Sequence, residues 1–202
     1  MGFFSNLMGQ KSLGTVTVRF YGEDNASVEY KTEVLDNQQK EVDLIQLFAL
    51  YYAKMLYNLN RGQSADGLIV YIQKAIGNII NESDGGVSRE NILSSNQKLV
   101  GLRADGTTKE YSGELFEKPD KMRIVQTHIG IGGEGYYAPT STIMFFQYLI
   151  NNLSENYLRF LVLVLSGMNG YYSNSGDYSN MQSINDAPSH GFSFATKILG
   201  NK

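Results

Sequence analysis

The stretch VDLIQLFALYYAKMLYNLN, residues 42–60, decides the fold class that we predict for this chain. Apolar residues recur in it every three or four positions, which is the spacing of a buried helical face. Leu44, Leu47, Leu50 and Tyr51 add a second apolar side. We therefore expect a helix that is covered on both sides by other elements of the fold.

A second helical pattern follows at residues 65–81, with a single apolar stripe. Gly62 can end the first helix in a left-handed cap, and Ser64 can cap the second. The two patterns together predict an αα-hairpin.

Strand patterns lie on both sides of these helices. Alternating, β-branched segments separated by turn residues are typical of β-hairpins, and Asp-Gly suits a tight hairpin turn. One hairpin is predicted from residues 15–21 and 26–34, and another from 99–104 and 108–116 around Asp105-Gly106, with a further strand at 122–129. The fold class predicted is α+β, with an antiparallel or mixed sheet packed against the helices.

The most apolar part of the chain predicts a long C-terminal helix. Residues 143–153 and 157–165 form one helix or two, broken near 152–154. Residues 160–165 are apolar all round, so a buried strand is the competing interpretation there. Polar residues at 151–156 argue against a membrane span.

The composition changes after Ser166, where Gly, Ser, Asn and Tyr dominate up to Ser189. Such a composition predicts a loop or a disordered tail. Phe192 and Phe194 then alternate within 191–199, which predicts a strand that anchors the tail. The domain organisation predicted is an N-terminal lead-in (1–14), a single α+β domain (15–165) and an arm (166–202).

The bulk composition excludes several classes of function. Of 202 residues only 18% are charged, the net charge is −3 and no cysteine is present. An acidic chain without a basic stripe is not expected to bind nucleic acid, and zinc fingers, disulfides and thiolate catalysis need cysteine. We see no signal peptide or transmembrane segment and expect a cytoplasmic protein without metal or cofactor.

A glycine-rich motif is the strongest candidate for ligand binding. Gly130, Gly132, Gly133 and Gly135 precede a helix that we expect to be capped at Thr140 or Ser141. In dinucleotide-binding folds such glycines bring the backbone close to a pyrophosphate. The motif is late in the chain, without the expected acidic partner strand. A turn before a capped helix is the simpler interpretation, and an anion at the helix amides is the alternative.

Other near-motifs lack essential residues. The segment 80–91 resembles a calcium loop but has Ile80 and Asn91 where the first ligand and the bidentate Glu belong. His128 with Glu134, or His190 with Asp186, would be the pairs of an enzyme. A hydrogen-bonded structural histidine is the simpler interpretation, and we predict no catalytic residues.

Aromatic residues are the clear compositional excess, with 14 Tyr and 10 Phe. Tyrosine is favoured at protein interfaces because it combines a large area with a polar tip. The interface residues predicted are Phe3, Phe4, Tyr136, Tyr137, Tyr171, Tyr172, Tyr178, Phe192 and Phe194. The function predicted is a non-catalytic structural or scaffolding subunit, a homo-oligomer or a partner of other subunits; the alternative is a module that binds a small anion or nucleotide.

Overall fold

The computed structural model describes residues 12–21, 25–31, 37–59, 109–117, 123–126, 139–175 and 180–200. They form an α+β fold, as predicted. The strands are β1 (Ser12–Tyr21), β2 (Asn25–Lys31), β3 (Lys109–Glu117) and β4 (Arg123–Gln126), and the helices are α1 (Asn37–Leu59), α2 (Pro139–Asn152), α3 (Glu155–Ser175) and α4 (Ser183–Gly200).

The strands form an antiparallel sheet in the order β2-β1-β3-β4. The register places Val18 of β1 opposite Val28 and Tyr111. The register shifts between Ser12 and Gly14, where Gly14 has a φ of 128°. That backbone conformation favours glycine, because a Cβ would be strained there.

The two faces of the sheet differ in chemistry because side chains alternate along each strand. Val16, Val18 and Phe20 are buried against the helices. On the opposite face, the Arg19 guanidinium donates to a Glu29 carboxylate oxygen at 2.9 Å, and the Lys31 ammonium lies 3.6 Å from the same carboxylate. One face of the sheet therefore belongs to the core, and the other is polar.

Helix α1 is the centre of the fold. Its buried residues lie on almost every side of the helix, and α2, α3, α4 and the sheet all contact it. This confirms the prediction that residues 42–60 form a helix covered on both sides. The rings of Phe48, Phe145 and Phe146 make the contact between α1 and α2, with centroids 5.4 and 5.7 Å apart.

The apolar C-terminal segment is two helices, so the strand interpretation of residues 160–165 is wrong. The break lies at Leu153 and Ser154, near the predicted position. Ser154 caps the start of α3, since its carbonyl accepts the first hydrogen bond of the helix, from the Leu158 amide at 2.8 Å. The Glu41 carboxylate of α1 accepts from the Ser154 amide at 2.8 Å and from the hydroxyl at 2.7 Å. Glu41 thus joins the start of α3 to α1.

The prediction of a loop or disordered tail after Ser166 is wrong over most of its length. Helix α3 continues to Ser175, and residues 183–200 form α4, where a strand was predicted at 191–199. Asn180 caps α4: its side-chain oxygen accepts from the Gln182 amide at 2.9 Å, and its carbonyl accepts from the Ser183 hydroxyl at 2.6 Å. The described part of the arm is therefore helical, and α4 packs against α3 and α1.

Several predicted elements lie outside the described residues. They are the lead-in up to residue 11, the second helix of the αα-hairpin (65–81), the calcium-like segment (80–91) and the first strand of the second hairpin (99–104).

Candidate functional site

The glycine-rich motif, residues 130–135, lies outside the described residues. The structure describes the helix that follows it. Helix α2 begins at Pro139, so Thr140 and Ser141 lie in its first turn. The predicted cap at Thr140 or Ser141 is therefore wrong by two or three residues, because the cap precedes the first helical residue and proline is well suited to that first position. The first-turn amides of a helix have no acceptor within the helix, which is why helix N-termini in proteins can bind anions.

The tyrosine pair Tyr171–Tyr172 lies in the last part of α3. Tyr172 is 1% exposed, and its ring meets the Tyr171 ring edge-on at 5.5 Å. Tyr171 is partly buried and packs against the core. Tyr172 is therefore a core residue, which corrects its assignment to an interface; the doublet motif does not distinguish the two environments.

The phenylalanines of α4 also contact the chain's own core. The Phe192 ring meets the Phe160 ring of α3 edge-on at 5.4 Å. The Cβ of Phe194 lies beside Gly167, where an added Cβ would come within 2.7 Å of it. Both side chains are partly buried. They pack α4 against α3, and the interface role assigned to them stays a prediction.

The other predicted interface residues lie outside the described part of the chain. These are Phe3, Phe4, Tyr136, Tyr137 and Tyr178.

His190 is exposed on α4, and its ring lies 5.9 Å from the Tyr171 ring. Asp186, one turn earlier, accepts from the Gln182 side-chain amide at 3.2 Å. In the described residues, no hydrogen bond joins His190 to Asp186. His128 and Glu134 lie outside those residues. Among the residues that are described, no three His, Asp or Glu side chains are grouped to hold a metal ion.

Sequence reasoning missed two exposed apolar residues at the ends of α4. Met181, just before the helix, is 51% exposed, and Ile198, in its last turn, is 38% exposed. Between them α4 carries only two charged residues, Asp186 and Lys197. A lightly charged helix surface with apolar ends resists association less than a charged surface does. The low charge and the apolar residues of this segment are visible in the sequence, but a segment predicted to be a loop was not considered as a helix surface.

A second surface is the polar face of the sheet at its β2 edge. The hydrogen bond from Arg19, and next the charge of Lys31, lower the pKa of the Glu29 carboxyl. On the core-facing side of β2, the Tyr30 hydroxyl donates to the Lys40 carbonyl at 2.6 Å. The Lys40 ammonium lies 5.7 Å from the centroid of the Tyr30 ring. These contacts fix the edge strand on α1.

Two further ionisable groups are perturbed by burial within the helical layer. Partial burial lowers the pKa of the Lys54 ammonium on α1 to about 8. Burial also raises the pKa of the Tyr148 phenol, whose ring packs edge-on against Phe20 at 6.1 Å. In both residues the cause is desolvation of the charged form.

No helix within the described ranges is long and apolar enough to cross a membrane. Comparisons of this chain with protein-family models, curated proteins and solved structures found no significant match.

Proposed function

We propose that this chain is a non-catalytic structural or scaffolding subunit that acts in the cytoplasm through protein–protein contacts and self-assembles. The observation that carries the proposal is the outer surface of α4. That helix holds only two charged residues in 18, and Ile198 in its last turn is 38% exposed. A surface of this kind has little charge repulsion to oppose contact with another protein.

The histidine environment supports a role other than catalysis. A general base needs a partner that orients it and a position within reach of a substrate proton. His190 stands on the outside of α4 beside Tyr171, and its neighbour Asp186 is bonded to Gln182. A protein–protein contact, unlike catalysis, does not need several side chains directed at one reacting atom.

Sedimentation velocity of the full chain over a wide concentration range tests self-assembly, and a pull-down with tagged full-length chain from the source cell tests other partners. We expect the sedimentation coefficient to rise with concentration. A chain that stays monomeric at the highest concentration and recovers no protein from the cell would contradict the proposal.

The alternative is a module that binds a small anion or nucleotide at the start of α2. The observation in its favour is that α2 begins at Pro139, four residues after the last glycine of the motif, Gly135. The first-turn amides at Thr140 and Ser141 would then bind the anion. Thermal unfolding with inorganic phosphate and with nucleoside di- and triphosphates tests it; an unchanged Tm with every ligand removes this alternative.

A further inference from the structure

Among the strands that the structure describes, β2 lies at one edge of the sheet and has β1 as its neighbour. A strand at an edge directs part of its backbone N–H and C=O groups away from the sheet, where they can pair with another chain. The opposite edge is β4, which is only four residues long and contacts α1. β2 is seven residues long and contains no proline. It is therefore the edge better suited to accept a further strand.

The core-facing row of β2 is only half covered. Ala26, Val28 and Tyr30 pack against the core but remain partly exposed. Val16 and Val18, opposite them on β1, are 0% exposed. The apolar face of the sheet therefore continues to this edge, and a neighbouring strand would cover the rest of it.

We propose that β2 pairs antiparallel with β2 of a second copy of this chain, so that the two sheets become one continuous sheet of eight strands. This inference rests on the proposed self-assembly and assigns the contact between copies to β2, so that the outer surface of α4 is left for contacts with other proteins. A two-fold axis at Val28 is the antiparallel arrangement that pairs all seven residues of the strand. Val28 then lies opposite the second copy's Val28, and Ala26 lies opposite Tyr30, so a small side chain faces a large one.

The polar face agrees with the same register. Ser27 lies opposite the second copy's Glu29, and Asn25 lies opposite Lys31, so no like charges face each other. Sliding the pairing by one residue on each strand would bring Glu29 opposite Glu29, which is unfavourable for a cross-strand pair. The charge pattern thus favours the register centred on Val28 over this neighbouring one.

Ser27 gives a test in which folding and pairing respond in opposite directions. Ser27 is exposed, and within one chain it lies opposite Arg19. Ser27→Glu places a carboxylate opposite Arg19 of its own chain but opposite Glu29 of the second copy. Ser27→Lys does the reverse. Each substitution acts twice in a two-fold dimer.

We expect Ser27→Glu to raise the dimer Kd about fivefold and Ser27→Lys to lower it by a similar factor, from ordinary cross-strand charge energies. The Kd is measured by sedimentation equilibrium of the full chain at low salt, and Tm at low protein concentration reports folding of the monomer. We expect the monomer Tm to be higher for Ser27→Glu than for Ser27→Lys. Ser173→Glu and Ser173→Lys, at an exposed position of α3, are the controls for net charge.

The outcomes separate this inference from the proposed function. A wild-type chain that stays monomeric at the highest concentration contradicts both the β2 pairing and the proposed self-assembly, while the pull-down still tests other partners. A wild-type chain that assembles, with a Kd that the two Ser27 variants leave unchanged or shift by no more than the matching Ser173 controls do, overturns the β2 pairing alone.

Discussion

Gly167 of α3 and Gly191 of α4 meet where the two helices cross: a Cβ added to Gly167 would lie 2.9 Å from the Cα of Gly191. A Cβ added to Gly191 would overlap the Val164 carbonyl oxygen and come within 2.8 Å of Met168 Cγ. The helices therefore approach with backbone against backbone. This close approach is the reason that a glycine-containing segment forms ordered helices.

We expect Gly191→Ala to lower the free energy of unfolding by about 2–3 kcal/mol, because the helices must separate to admit the methyl group. Gly167→Ala should cost somewhat less, since its contacts include the movable Phe194 side chain. Urea denaturation followed by circular dichroism measures both values.

Gly170→Ala is the matched control in the same helix. A Cβ at Gly170 would have no atom within 4 Å. Alanine is the better helix former, so this variant should gain about 0.5–1 kcal/mol. A similar gain in all three variants would show that helix propensity, and not the crossing, sets the effect.

The sequence predicted α1 well because its burial pattern is local. Residues such as Ile45, Phe48 and Tyr52 follow each other at helical spacing, and each is fully buried. The same local reasoning failed after Ser166. The contact that orders that region joins Gly167 to Gly191, and the value of a glycine there depends on a helix that lies 24 residues away in the sequence.

The strand predicted at 191–199 failed for a related reason. Phe192 and Phe194 alternate, which favours a strand, but the buried positions are Ala187, Gly191 and Ala195. Those positions are four residues apart, as on one helical face. Hydrophobic periodicity gives little weight to glycine and alanine, so it missed a face made of small residues. Of the candidate ligand-binding residues, the structure describes only Thr140 and Ser141, in the first turn of α2; the glycines lie outside the described residues.

The link between Glu41 and Ser154 gives a second prediction. Glu41→Ala removes the acceptor of both the Ser154 amide and its hydroxyl, and it should cost about 1–2 kcal/mol, because hydrogen bonds to a carboxylate are stronger than neutral ones. Ser154→Ala removes only the hydroxyl bond and should cost less.

A double-mutant cycle between the two positions distinguishes a direct bond from independent effects. We expect the loss in the double variant to fall short of the sum of the single losses by about 0.5–1 kcal/mol. Additive losses would contradict the proposed coupling between α1 and the start of α3.

Lys54 predicts a dependence of stability on alkaline pH. Its pKa is about 8 in the folded chain, against 10.5 for an ordinary lysine side chain. Below pH 8 the side chain is protonated in both states, and the cost of partly burying its charge is fully present. Between pH 8 and 10.5 the unfolded chain binds more protons than the folded chain, so the free energy of unfolding rises with pH. This gain is lost when the pH is lowered again to about 8.

Lys54→Met should remove this contribution. We expect the wild-type chain to gain, relative to the variant, about 1 kcal/mol or less between pH 8 and 10.5, because solvent screens a half-exposed group. Urea denaturation at several pH values measures the difference, with Lys197→Met, at an exposed position of α4, as the control. A difference between wild type and Lys54→Met that does not change with pH would contradict the shift.

Phe192 tests whether the aromatic residues of the arm stabilise the chain itself. Its ring packs edge-on against Phe160 at 5.4 Å and is partly buried against the core. Phe192→Ala should therefore lower the free energy of unfolding of the monomer by about 2–3 kcal/mol, less than for a fully buried phenylalanine. Phe192→Leu keeps most of the apolar volume and should lose about half as much.

Ile198→Ala, at a residue that is 38% exposed on the same helix, is the control and should cost under about 1 kcal/mol. If Phe192 served only an interface with another protein, its removal would change the dimer Kd and leave monomer unfolding, measured at low concentration, the same as in the wild type.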